Sequence, residues 1–173
     1  MLLANFNFAV EGTTLITFKL VTEKERELLW NINQKYLYEM TKYYHDDVDD
    51  NGNYHYGYFD AYFTERGREA YLIYENETLL GFAMLNQHSY IGHTPDWVIA
   101  EFCIFPSYRR RHFAIKASEH ILEMHPGQWE IKFNENNIGA KALWEKVTSK
   151  YSTVIHNINE EETVLEFSNI SNM

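Results

Sequence analysis

Leu15–Val21 alternates apolar and polar side chains closely enough to predict a first strand behind a loose tail. The period then changes. Leu28, Leu29, Ile32, Tyr36 and Met40 recur at helical spacing, and Thr22 with Glu25 makes a capping-box pair. A helix is therefore predicted from about Glu23 to Tyr44. Ala70–Glu75 and Leu79–Asn86 read as short strands around a turn at Asn76-Glu77, with Gly81 marking a bulge. Trp97–Phe105 is the central strand. The helix after it opens near His112, turns Phe113, Ala114, Ala117, Ile121 and Met124 inward, and stops at Pro126-Gly127. Trp129, Ile131 and Phe133 alternate as the next strand. Asn134 to Asn137 turn into a helix reaching Val147, and Tyr151–Ile155 with Thr163–Phe167 form a closing hairpin. No repeat, linker or low-complexity tract intervenes, so residues 1–173 read as a single α+β domain.

The segment between the first helix and the first hairpin has no such period. Asp47, Asp49, Asn51 and Gly52 match the opening of a calcium loop of EF-hand type. Its twelfth position requires a bidentate Glu and holds Tyr58 instead, so the segment is expected to be a solvated turn between two helices, without metal. Tyrosines crowd around it: Tyr36, Tyr38, Tyr43, Tyr44, Tyr54, Tyr56, Tyr58 and Tyr62. An apolar ring with a polar tip suits a half-wet pocket wall, and equally suits helices packing on a sheet.

Composition narrows the chemistry. A net charge of -10 argues against general nucleic-acid binding, which needs a basic face. The lone Cys103 excludes an internal disulfide and, within an apolar strand, reads as a core residue rather than a nucleophile. Neither a secretory leader nor an apolar run of about 20 residues is found, so a cytoplasmic protein without a membrane partner is expected. Against this acidic background Arg109, Arg110 and Arg111 stand together between the central strand and its helix. A helix N-terminus offers unpartnered N–H groups and partial positive charge, and arginines add charge-assisted donors. Together they suit a polyphosphate.

The order strand, long helices, three antiparallel strands, helix, strand, helix, strand, strand resembles the GNAT superfamily of acyl-CoA-dependent N-acyltransferases. The resemblance covers nearly the whole chain and is strongest from Trp97 to Tyr151. It implies a mixed, mostly antiparallel central sheet flanked by helices, with acetyl-CoA as acyl donor. In that family the central strand ends in the pattern Arg/Gln-x-x-Gly-x-Gly/Ala, whose amides bind the coenzyme A pyrophosphate. The matching residues are Arg109, Arg110, Arg111, His112, Phe113 and Ala114, with His112 where glycine is usual. A second pattern, Asn-x-x-Ala-x-x-Leu/Phe-Tyr, appears as Asn137, Ala140, Leu143 and Trp144. In relatives the asparagine lies near the pantetheine arm and the tyrosine protonates the leaving thiolate. Trp144 has no such proton, so either Tyr151 serves as acid or the thiolate leaves unaided. The run Trp129–Asn134 resembles the strand that splays to admit the coenzyme, and the resemblance implies a backbone N–H near Ile104 or Phe105 to polarise the thioester oxygen.

An amine must lose its proton before attacking that thioester. Glu101 is the expected base: strand alternation puts it on a face with Trp97, Ile99 and Cys103, where burial would raise its pKa. A structural carboxylate bonded to backbone or tyrosine is the alternative. The acceptor side is acidic and aromatic, which predicts a small cationic amine or a basic peptide end. A catalytically weak acyl-CoA sensor is the rival reading, carried by His112 and Trp144. RNA binding by the arginine turn is a third, disfavoured by the net charge. The sequence also admits a homodimer.

Overall fold

The computed structural model describes residues 15–170. Its strands are β1 (Ile16–Leu20), β2 (Glu69–Glu75), β3 (Thr78–Asn86), β4 (Trp97–Ile104), β5 (Gln128–Asn134), β6 (Val154–Asn157) and β7 (Glu162–Ser168). The helices are α1 (Arg26–Tyr44), the single turn α2 (Ala61–Thr64), α3 (Phe113–Met124) and α4 (Ile138–Thr148). All strands join one sheet in the order β1-β2-β3-β4-β5-β7-β6, antiparallel throughout except between β4 and β5. This is the α+β arrangement expected from the pattern. No described helix is long and apolar enough to cross a membrane.

The sheet is covered on both faces, because alternate residues of its central strands are both apolar. Tyr71, Ile73, Ala83, Leu85, Ile99 and Ile104 pack with α3 and α4, around Ile121, Trp129 and Trp144. Leu72, Phe82, Met84 and Cys103 pack instead with Leu29 and Ile32 of α1 and with Phe59 and Tyr62. The Thr22–Glu25 capping box forms as read, over a short 3-10 turn that leads into α1. The segment after α1 is held by a bridge between Val48 and Tyr54, while Asp49 Oδ1 accepts from the N–H groups of Asn51 and Asn53. Only one helical turn follows it, where two full helices were expected around the acidic stretch.

Two bulges shape the middle of the sheet. One lies at Leu80, beside Gly81 as anticipated, and the glycine has its own reason to be there. A β-carbon on Gly81 would lie 1.9 Å from the Cys103 carbonyl oxygen, so only glycine allows β3 and β4 this approach. The other is at Ala100: Met84 pairs with Glu101, but Leu85 pairs with Ile99. An extra residue reverses the alternation downstream. Glu101 and Cys103 therefore face α1, whereas Trp97 and Ile99 pack on the α3 side. The expectation that all four share a face is corrected by this bulge.

Candidate active site

Trp97, Val98 and Ile99 pair with Trp129, Glu130 and Ile131, and there the β4–β5 ladder ends. Beyond it the strands part around a cavity of about 650 Å³. The walls come from residues 99–104 of β4, 132–134 of β5, α1, and the first turns of α3 and α4. The opening follows from topology. β4 and β5 are parallel and lean on different helices, and the bulge at Ala100 bends β4 at the point of departure.

Three contacts orient the last peptides of β4. The Phe105 N–H donates to the Leu80 carbonyl at 2.8 Å. The Cys103 carbonyl faces Gly81 on β3. The Ile104 carbonyl accepts from Arg109 Nε at 2.7 Å. Successive peptides of a strand point to opposite sides, so the Ile104 N–H faces the parted gap. Of the two amides named from the sequence, Ile104 supplies the one turned to the cavity, and that of Phe105 is committed to β3.

The arginine turn divides its labour. Arg109 Nη1 and Nη2 donate to the two carboxylate oxygens of Glu39 at 2.6 and 2.7 Å, a bidentate pair with α1. Arg110 lines the cavity with Arg109, while Arg111 and His112 are exposed and lie off it. Arg110 and His112 both have a φ of 63°, the left-handed region that favours glycine. His112 thus reproduces the backbone of the missing glycine with its ring directed outward. Phe113 is buried in the core and Ala114 lines the cavity, at the start of α3 where backbone N–H groups lack helical partners.

Glu101 lines the cavity on its α1 side. Burial pushes its carboxyl up to about 7, while the neighbouring Tyr36 and Tyr56 hydroxyls and the Lys132 ammonium favour the charged form. Tyr44, Tyr90 and Asp46 complete this side. Burial pushes the Tyr44 phenol up to about 12 and raises that of Tyr90 as well, so both keep their protons. The Lys132 ammonium lies 4.8 Å from the centre of the Tyr90 ring and donates to Glu162 at 2.7 Å. Cys103 also touches the cavity, but burial drives its thiol up to about 11, as suits a core residue.

On the α4 side, Asn137 Oδ1 caps the helix by accepting from the Ala140 N–H at 3.1 Å. Trp144 is buried, edge-on to Phe102 at 5.2 Å between ring centres, and lines the cavity. Asn134 is buried on the opposite wall; its Oδ1 accepts from the Asn136 N–H, and its Nδ2 has no partner. Tyr151 is not brought to the site. Its ring stacks on Phe167 at 5.0 Å, away from the cavity. Sequence reasoning missed Glu39, Tyr90 and Lys132. Lys132 sits at an ordinary polar position of an alternating strand, so the sequence carried no signal for it, nor for Glu39 or Tyr90.

The acetyltransferase (GNAT) family model matches residues 27–148, from α1 through the parted strands and the arginine turn to the end of α4. The chain belongs to the GNAT acetyltransferase family. It is accordingly an acyl-CoA-dependent N-acetyltransferase, with acetyl-CoA as donor. Among solved structures, the chain is similar to Arabidopsis thaliana NAA60 in complex with acetyl-CoA, 12% identical over 91% of this chain and 99% of that one, with a TM-score of 0.60. The aminoglycoside acetyltransferase AAC(6')-Ib, in complex with coenzyme A and kanamycin, is 11% identical over 89% of this chain and 95% of its own, with a TM-score of 0.65. A spermidine N-acetyltransferase chimera from Vibrio cholerae SpeG and hSSAT is 13% identical over 88% and 93%, with a TM-score of 0.55. At these identities the likeness is one of fold. No curated protein sequence matches the chain.

Proposed function

We propose that this GNAT protein acetylates the primary amine of a small cationic acceptor, with Glu101 as general base. The observation that carries the reading is Glu101 itself: a cavity-lining carboxyl at the parting of β4 and β5, poised near 7. A base with a pKa near the working pH combines the right protonation state with useful strength. Tyr36, Tyr44 and Tyr90 with Asp46 give the same end of the cavity aromatic faces and negative charge, which favour a cation.

The chemistry follows from the walls. Acetyl-CoA supplies the thioester. Arg110 and the amides opening α3 take the pyrophosphate, and the unpartnered Asn134 Nδ2 offers a donor to a carbonyl of the pantetheine arm. The Ile104 N–H stabilises the oxygen of the thioester carbonyl as the amine nitrogen bonds to its carbon. Glu101 takes the proton that frees the amine lone pair, the nitrogen sheds its second proton to solvent after attack, and the C–S bond breaks to release coenzyme A. Among the described donor-end residues, Ala114, Asn137, Ala140, Leu143 and Trp144 offer no phenol, carboxyl or imidazole. The thiol, of pKa about 8.5, therefore leaves as thiolate.

A thiol-release assay with acetyl-CoA and a panel of polyamines, aminoglycosides, basic peptides and neutral amines tests the reading. Turnover of cationic members, abolished or severely reduced in Glu101→Gln, is expected. Coenzyme binding without turnover of any amine would support the sensor reading instead.

A further inference from the structure

We propose that Arg109 and Glu39 form a positioning strut that holds the Ile104 amide and the tyrosine wall in one geometry, and that Arg109 is not a ligand of the coenzyme. The inference rests on the acetyltransferase reading above and changes the role the motif suggests for its first arginine.

The observation is the set of partners Arg109 already has. Its Nε holds the Ile104 carbonyl, and its two terminal nitrogens hold both oxygens of Glu39 at 2.6 and 2.7 Å. A guanidinium has five N–H donors in a fixed fork, and here the inner one and both ends are used. Swinging toward a pyrophosphate would strand the partly buried Glu39 carboxylate and leave the Ile104 carbonyl without its donor. Arg110, one residue on and also on the cavity wall, has no such attachment in its way. Coenzyme charge is therefore met by Arg110 and the helix amides, and Arg109 stays in place.

What the strut holds is the link between the two halves of the reaction. Ile104 presents its N–H to the gap from the same residue whose carbonyl Arg109 grips. Glu39 lies on α1 one turn after Tyr36, which lines the same cavity as Glu101 and favours its ionised form. Releasing the strut would loosen the oxyanion donor and the placing of Tyr36 beside Glu101 together. The groups facing Glu101 are Tyr36 and Tyr44 from α1, Tyr56 and Tyr62 from the segment after it, Tyr90 from the β3–β4 connection, and Lys132 from β5. Arg109 is not among them, so any effect of Arg109 on Glu101 passes through α1.

Calorimetric titration of acetyl-CoA and acceptor kinetics on the full chain, with Glu39→Gln, Arg109→Gln, the double variant and Arg110→Gln, test the proposal. Glu39→Gln and Arg109→Gln should each change the acetyl-CoA Kd by less than about threefold, the span of an ordinary surface change. Each should lower kcat by roughly ten- to a hundredfold, the scale of a small misplacement. The double variant should be no worse than the single ones. The acid limb of kcat/KM should move to higher pH in both single variants, since Tyr36 no longer favours the carboxylate; a merely structural loss of stability would not move it. Arg110→Gln should weaken acetyl-CoA binding severalfold or more. The opposite pattern overturns the strut: Arg109→Gln weakening acetyl-CoA as much as Arg110→Gln does, or Glu39→Gln tightening it by freeing the guanidinium. Wild-type protein that fails to bind acetyl-CoA at all would defeat the acetyltransferase reading itself, a separate result from either sign in the variants.

Discussion

Glu101 is the base we propose, and its pH behaviour follows from its surroundings. Burial favours the neutral acid, so the folded-state pKa lies above the ordinary carboxylate value, at about 7. The base is competent only when ionised. Acceptor kcat/KM should therefore rise with pH through an acid limb near 7, and Tyr56→Phe should shift that limb upward by removing a hydroxyl that favours the carboxylate. The same group opposes folding at neutral pH, where the unfolded chain would hold it ionised at no desolvation penalty. A limb near the ordinary carboxylate range would show that Glu101 is solvated and does not serve as base. His112 makes a second case at this scale. Its φ of 63° costs an L-residue about 1–2 kcal/mol, while glycine gives back less than that in unfolded-chain entropy. Because the ring is exposed and caps nothing, His112→Gly should raise stability by up to about 1 kcal/mol, read as a higher Tm, and leave acetyl-CoA affinity unchanged. A drop in affinity would mean that the imidazole reaches the coenzyme.

Among the elements, the acidic segment after α1 invites the sharpest test. Asp46 lines the cavity, and Asp47, Asp49 and Asp50 stand beside it in the chain. Asp49 is occupied in folding the turn, where its carboxylate accepts two backbone N–H groups, so it should be left intact. Replacing Asp46, Asp47 and Asp50 by Asn should flatten the salt dependence of kcat/KM for a cationic acceptor. In the wild type that rate should fall as the Debye length shortens from about 30 to about 8 Å. Acetyl-CoA affinity should stay the same. An acceptor rate that ignores both salt and the substitutions would assign the segment to solubility alone. β4 shows the other lesson at this scale. One extra residue at Ala100 decides which helix Glu101 faces, and nothing in the local run Trp97-Val-Ile-Ala-Glu-Phe-Cys-Ile104 distinguishes that position.

At the scale of the whole molecule, the site is a sheet left unfinished. The β4–β5 ladder stops at Ile99 and Ile131, and the edges beyond it face a cavity rather than each other. A pantetheine arm lying between them should protect the amides of residues 100–104 and 132–134 from hydrogen exchange. Acetyl-CoA should also raise the Tm with concentration, by about 2.7 kcal/mol of stability at a hundred times its Kd. Protection confined to the α3 turn would mean that the coenzyme does not enter the gap.

Alternation, helical spacing and punctuation by Pro126-Gly127 and the Thr22–Glu25 box were enough to order the described strands and the long helices, because each depends on neighbours within a few residues. The Arg109–Ala114 and Asn137–Trp144 patterns marked two turns into helices whose residues line the cavity, for the same reason: a turn into a helix is a local structure. Glu101 was also legible, as an acid in an apolar strand. What the sequence could not determine was which surfaces meet. Tyr151, close in the chain to the second motif, went to the core against Phe167, while Tyr90 from the β3–β4 connection and Lys132 from β5 came to the cavity that Glu101 lines. Glu39 met Arg109 across seventy residues of chain. Such contacts depend on how the helices pack and on a single bulge, and a sequence window holds no record of either. The tertiary structure alone therefore decided which charges face the gap, and hence the pKa of Glu101 on which the proposed chemistry rests.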